Sequence, residues 1–240
     1  MLPIFYQRTA FSENGSLELD EDTSRHMIQV LRMQPGDRVI LTNGLGARAE
    51  VVLEKADKKH CRAGVLTVEE VSRRRPHLDM AVCFTRNAGR NEWLLEKITE
   101  MGVRGIIPVV AARTERERMR YDRWNNILAA AMIQSQQFYL PELYEALSLP
   151  QLLDKFDDTD QKLIAHCMDE PERLPVARAL QAGLDTILLI GPEGDFTPGE
   201  AALCAGRGYR SISLGTTRLR TETAAMAGCA YFNLVNHEHL

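Results

Sequence analysis

Apolar and polar positions follow two different rhythms along the chain. In the first, short apolar runs stand close together: residues 39–42, 47–53 and 61–68 read as strands, the first two separated by the hairpin-like Asn43-Gly44-Leu45-Gly46. Short strands at this spacing predict a small β-barrel. Residues 1–19 read as extended and irregular. Thr23 is the expected N-cap of a short helix running to about Met33, with Met27, Val30 and Leu31 on one face, and Gln34-Pro35-Gly36-Asp37 is a turn. The polar stretch Ser72-Arg73-Arg74-Arg75-Pro76 marks a domain boundary, dividing the chain into residues 1–72 and 76–240.

From His77 onward, strands and helices alternate. Strands are predicted at 78–84, 105–110, 162–167, 186–190 and 211–214. Helices are predicted at 90–101, stopped by Gly102, at 120–138, at 175–182, and after Thr197 and Arg220. Five strands alternating with helices imply an α/β fold with a mainly parallel sheet covered on both faces.

Two strand–loop–helix units in succession draw most attention. Strand 186–190 runs into Gly191-Pro192-Glu193-Gly194-Asp195-Phe196 and then a helix start, with Thr197 as N-cap, Pro198 at the first helical position and Glu200 three residues past the cap. Strand 211–214 runs into Gly215-Thr216-Thr217-Arg218-Leu219-Arg220, followed by the last helix from Thr221. Neither loop is a dinucleotide fingerprint or a P-loop. A plain chain reversal explains one such loop; two together form a place beyond the strand ends where α/β sheets bind ligands. Close backbone approach suits a flat ligand such as an adenine. Arg220 places a cation beside a positive helix end, which calls for an anion there; pairing with Glu222 or Glu193 is the alternative. Small residues Ala224, Ala225, Ala227, Gly228 and Ala230 serve close packing or a subunit contact.

Composition narrows the classes. With 45% hydrophobic and 26% charged residues, the 240-residue chain is ordinary globular protein. No apolar run approaches a membrane span, and no signal peptide is recognised at Met1–Arg8. Five scattered cysteines without a C-x-x-C pair fit reduced thiols in a cytoplasmic protein, and neither they nor the six histidines give a metal-ligand pattern. Net charge is −4, with 12 Lys/Arg against 11 Asp/Glu in residues 1–75 and 17 against 22 thereafter, so polyanion contact must come from local patches.

The loops also carry a resemblance. Leu189-Ile190-Gly191-Pro192-Glu193-Gly194-Asp195-Phe196 and Leu214-Gly215-Thr216-Thr217-Arg218-Leu219-Arg220-Thr221-Glu222-Thr223-Ala224 resemble the two signature loops of the RsmE family of 16S ribosomal RNA (uracil-N3)-methyltransferases, in the SPOUT superfamily. The likeness extends through Arg90-Asn91-Glu92-Trp93, Lys97 to Val103, Ile107-Pro108, Arg113, Arg123-Trp124, Gln134-Ser135 and Pro141, and back to His26, Val30-Leu31-Arg32 and Gly36-Asp37. The chain departs from the family at Asn87, where lysine is common, at Ile133 and Gln137, where glutamate and arginine are, and at Asp195, where glycine is.

The resemblance implies an N-terminal PUA-like β-barrel and a C-terminal α/β domain with a deep trefoil knot, working as a homodimer. It implies S-adenosylmethionine (SAM) bound by Leu189, Ile190, Gly191, Pro192, Glu193, Gly194, Leu214, Gly215, Leu219, Arg220, Thr221, Thr223 and Ala224. The substrate implied is one uridine of 16S rRNA in the small ribosomal subunit. Because SAM already supplies a strong electrophile, the protein must chiefly align N3 with the methyl and help it lose its proton. Arg220 is the candidate for stabilising charge on the uracil oxygens, and Glu222 the candidate for accepting the proton, with helix capping as its alternative role. Arg113, Arg116, Arg118, Arg120 and Arg123 form one possible phosphate-binding patch, interleaved with Glu115, Glu117 and Asp122, and Arg8, Arg25, His26 and Arg32 form a second. A SPOUT enzyme acting on another base or a ribose, and a non-catalytic SAM- or RNA-binding protein, are the competing readings.

Overall fold

Strict alternation of buried and half-exposed positions from Ala47 to Leu53 makes β4 (Ala47–Lys55) the spine of the N-terminal sheet. The computed structural model describes residues 2–115, 119–168 and 173–237. The chain separates into one unit of residues 1–73 and 132–140 and a second of residues 74–131 and 141–240.

In the first unit, β1 (Ile4–Tyr6), β2 (Ser16–Glu18), β3 (Arg38–Thr42), β4 and β5 (Arg62–Glu70) form a five-stranded sheet in the order β1-β3-β4-β5-β2. The stretch read as irregular therefore supplies two edge strands, too short for a periodic signal. Leu41 faces Ala49 across β3 and β4, and Phe5, Leu19, Met27, Val51 and Ala63 complete the core. Helix α1 (Glu21–Arg25) is capped by Asp20, not Thr23: Asp20 Oδ1 accepts the Thr23 N–H at 2.8 Å. The expected helix to Met33 is replaced by a π-helical turn, His26–Val30, in which the Leu31 N–H reaches the His26 carbonyl. The wider turn swings Val30 and Leu31 out to solvent at 67% and 43% exposure while Met27 stays buried.

Helix α3 (Tyr121–Gln134) stops four residues short of the predicted end. Gln136 adopts φ +58°, and the N–H groups of Gln136 and Gln137 turn back to Ile133 and Met132. Beyond it, Leu140 N donates to Gly44 O, Gly46 N donates to Phe138 O, and the Tyr139 hydroxyl donates to Val71 O, all within the first unit.

The second unit is a parallel sheet whose principal strands lie in the order β13 (Arg210–Ser213), β10 (Gln161–Ala165), β12 (Thr186–Ile190), β6 (Leu78–Val82), β7 (Gly105–Val110). Two-residue strands β8 (Glu142–Leu143), β9 (Leu147–Ser148) and β11 (Leu174–Pro175) trim its edges. Ala81, Ile107, Ile164, Ile187 and Leu189 form one buried face, covered by α4 (Leu149–Lys155) and α6 (Pro198–Gly206). The helix predicted at 175–182 shortens to α5 (Val176–Ala179), because Leu180 is extended.

On the other face, α7 (Thr221–Val235) lies so close to the sheet that a Cβ on Gly228 would stand 2.2 Å from Leu188 Cδ2. α2 (Ala88–Glu100) packs beside α7. At the opposite end of the strands from the loops, the buried Asp79 carboxylate is held by Arg104, which also reaches Asp185. No helix among the described residues is long and apolar enough to cross a membrane.

Candidate active site

Three strand exits, not two, wall the principal cavity of the second unit. Besides the loops after β12 and β13, the segment Ala165-His166-Cys167 at the end of β10 lines a cavity of about 670 Å³, within the size range of small-molecule sites. This third wall gave no signal in the sequence, because His166-Cys167 carries neither glycine nor a helix start. Asp195 ties it in place: Asp195 Oδ2 accepts the Cys167 N–H at 2.9 Å, while Oδ1 accepts the N–H of Phe196. Asp195 sits at φ +62°, a conformation that glycine adopts freely and aspartate tolerates. The departure from glycine there thus adds a hydrogen bond between two walls.

Within loop 191–196, the Asp195 N–H closes a turn on Pro192 O, and Phe196 is fully buried. Gly191 is required by this packing, since a Cβ there would lie 2.8 Å from the Phe196 ring. The close approach expected to serve a ligand is therefore made by the loop's own phenylalanine. Thr197 and Glu200 form the predicted capping box, and Glu200 also accepts the Ala112 N–H at 2.7 Å. Burial opposes ionisation of Glu200, but the N–H groups of Thr197 and Ala112 hold its carboxyl below the usual range. Arg113 donates to Gly194 O at 2.8 Å, so it braces this loop.

The two glycine loops are joined at the start of α7. The buried Thr221 hydroxyl donates to Gly191 O at 3.1 Å. Arg220 is the extended N-cap residue, without a side-chain capping bond, and the first N–H groups of the helix beyond it have no partners within the helix. Arg218 donates to Glu193 O.

Of the proposed cofactor residues, Ile190, Gly191, Pro192, Glu193, Leu214, Gly215, Leu219, Arg220, Thr221 and Ala224 line this cavity. Leu189 lies in the sheet core, Gly194 packs on Arg113, and Thr223 lines a second cavity of about 360 Å³. Arg220 belongs to both cavities, and Glu222 to the second.

The Arg220 carbonyl accepts the Ala224 N–H at 2.8 Å, but its guanidinium makes no hydrogen bond or ion pair with any described residue. The partnership offered for it is taken by Arg90, whose guanidinium lies 3.3 Å from Glu193 Oε1 and 3.6 Å from Glu222 Oε1. Glu222 is 8% exposed, and its Oε2 is buried without a hydrogen-bond partner among the described residues. The first turn of α2, which carries Arg90, is fixed by Asn91, which exchanges hydrogen bonds with Thr85, and by Asn87, which caps the helix by accepting the Arg90 N–H. Asparagine in place of the common lysine thus has a structural use.

The basic candidates differ in availability. In the first unit, Arg25 is paired with Glu21 and Asp22, Arg8 donates to the Tyr6 hydroxyl, His26 stands edge-on to Phe5 at 5.7 Å, and the exposed Arg32 adopts φ +55°. In the second, Arg123 is bound to Glu92 on both carboxylate oxygens, which lowers the Glu92 pKa and raises that of Arg123. Arg116 and Arg118 lie outside the described residues.

Comparison with known proteins agrees with this arrangement. Residues 73–233 match the RNA methyltransferase domain family, and residues 19–66 match the RNA methyltransferase PUA domain family. The chain is 31% identical over 232 residues to ribosomal RNA small subunit methyltransferase E of Mycobacterium tuberculosis, covering 92% of this chain and 87% of that one. The Bacillus subtilis protein of the same name is 26% identical over 227 residues, covering 89% and 88%. A crystal structure of a probable rRNA-methyltransferase from Porphyromonas gingivalis superposes with a TM-score of 0.91 at 33% identity, covering 100% of each chain. A putative methyltransferase from Legionella pneumophila, in complex with SAM, gives 0.86 at 28% identity over 98% of each. A PUA domain preceding a parallel-sheet methyltransferase domain, and relatives of one name matched along most of the chain, make this protein a member of the ribosomal RNA small subunit methyltransferase E family.

Proposed function

We propose that the protein is a SAM-dependent methyltransferase acting on N3 of one uridine of 16S rRNA in the small ribosomal subunit. The observation that carries this reading is Arg220, an uncommitted cation shared by the large cavity and the smaller one beside it. When bound, SAM supplies an electrophilic methyl on a sulfonium. The 670 Å³ cavity fits it in chemistry as well as size: apolar Ile190, Leu214 and Leu219 offer surface to an adenine, and backbone groups of both loops offer polar edges. Uracil N3 must lose its proton before it can attack. Glu222 Oε2, buried and unsatisfied, accepts that proton. Arg220 stabilises the negative charge that then spreads over the uracil oxygens.

The same proposal covers the architecture. Residues 1–72 act as a PUA-like β-barrel for RNA and residues 76–240 as the SPOUT domain, whose chain forms a trefoil knot. The knot reading is supported by the path from β13 across the β12 exit into α7, where Thr221 bonds to Gly191. Arg8, Arg25, His26, Arg32, Arg113, Arg116 and Arg123 contribute phosphate contacts. The active form is a cytoplasmic homodimer, a reading supported by the exposed Ala230 and half-buried Ala227 on the outer side of α7.

The test is incubation with methyl-labelled SAM and either small or large ribosomal subunits from cells lacking the modification. Label confined to small-subunit RNA supports the proposal; no transfer to either subunit, with SAM bound in calorimetry, selects a non-catalytic binding protein.

A further inference from the structure

The second cavity has features that the cofactor site leaves unexplained. Its wall includes Trp93, a residue 40% exposed, whereas the chain's other tryptophan, Trp124, is 1% exposed. An indole left open at the edge of a concave site is a flat stacking surface.

We propose that this cavity receives the target base, splayed out of the RNA, with Trp93 stacking on its face and Glu222 reading the donor at N3. The proposal rests on the reading above as a uridine methyltransferase and names the subsite for its substrate. At about 360 Å³ the cavity lies near the small end of ligand sites and accommodates a single pyrimidine. Enzymes that modify a base commonly extrude it into such a pocket, stack it and read its pairing edge.

The polar groups match uracil in particular. Arg90 engages Glu222 through Oε1, which leaves the buried Oε2 as an acceptor lacking a donor. A buried acceptor without a partner is costly, and uracil N3–H satisfies it. Cytosine presents a lone pair at N3, so the carboxylate repels it. Arg220, lining both cavities, donates to a uracil carbonyl flanking N3 and keeps that edge at the border with the cofactor cavity. The wall is pre-formed, because Asn91 and Asn87 lock the first turn of α2, which carries Arg90.

The experiment compares wild type, Trp93→Phe and Trp93→Ala in steady-state methyl transfer to under-methylated small subunits. Affinity for S-adenosylhomocysteine by calorimetry and mass by light scattering are measured alongside. Loss of stacking predicts that Trp93→Ala lowers kcat/KM about tenfold or more, chiefly through KM, while Trp93→Phe stays within about threefold of wild type. Cofactor affinity and mass stay at wild-type values in both. Equal activity of Trp93→Ala and wild type overturns the proposal, as does an equal loss in both variants. A change of mass in Trp93→Ala also overturns it, assigning the surface to a second copy of the chain. If wild type itself transfers no methyl to uridine, the broader functional reading has failed, and that outcome is separable from the behaviour of Trp93.

Discussion

Replacing Thr221 with valine tests whether one hydrogen bond couples the two glycine loops. The Thr221 hydroxyl donates to Gly191 O at 3.1 Å, and both residues are buried. Valine has nearly the same shape, so no cavity opens; what changes is that the Gly191 carbonyl loses its side-chain donor. An unsatisfied buried acceptor costs about 1–3 kcal/mol. With the carbonyl near the cavity, where water relieves part of that penalty, the expected loss is about 1–2 kcal/mol. For a chain of this size that corresponds to a fall in Tm of roughly 2–6 °C. If the bond aligns the loops for the cofactor, the same energy appears in binding, and S-adenosylhomocysteine affinity falls about 5–30-fold. Thr221→Ser keeps the donor and should recover most of the affinity. Differential scanning calorimetry and isothermal titration read the two quantities. A serine variant as weak as valine, or a valine variant indistinguishable from wild type, refutes the coupling.

Other expectations follow from the same geometry. Arg220→Ala should reduce methyl transfer about 100-fold or more with unchanged melting, because its guanidinium holds no structural partner among the described residues; near-wild-type turnover would remove it from the mechanism. Arg104→Met strands the buried Asp79 carboxylate and should cost about 3–5 kcal/mol in urea unfolding, against less than 1 kcal/mol if the pair is idle. Glu200 is held below its normal pKa in the folded state, so its contribution is present above about pH 4.3 and is lost as pH falls through the lower folded value. Wild type should therefore exceed Glu200→Gln in stability at pH 7, with the gap narrowing below about pH 4; a constant gap contradicts this. Cys167 is exposed on the cavity wall whereas the other four cysteines are buried, so maleimide should label Cys167 first and S-adenosylhomocysteine should slow that labelling. Unchanged labelling kinetics would place the ligand elsewhere.

Local signals account for what could be read from the chain. The Thr197-Pro198-Glu200 start, strands 105–110 and 186–190, and the small-residue helix after Arg220 depend on neighbours within a turn, and they occur as expected. The Asp20 cap was hidden by a better-placed-looking Thr23 that in fact donates to it. The π-helical turn and the early end of α3 reflect tertiary demands on Met27 and on residues 136–140, which periodicity does not register. The loops were legible as neighbouring strand exits, and they do wall one cavity, but the contacts around it were not fully legible. Arg90 reaches Glu193 and Glu222 across more than a hundred residues, and no spacing rule links them. The third wall depends on Asp195 in a left-handed conformation that only the folded backbone displays.

We propose that a methyl reaches uracil N3 at the border of the two cavities. The most direct test is nucleoside mass spectrometry of small-subunit RNA after incubation of under-methylated subunits with the purified protein and SAM. The expected result is one 3-methyluridine per subunit with wild type and almost none with Arg220→Ala. A methylated cytidine, purine or ribose, or 3-methyluridine formed equally by both proteins, would contradict it.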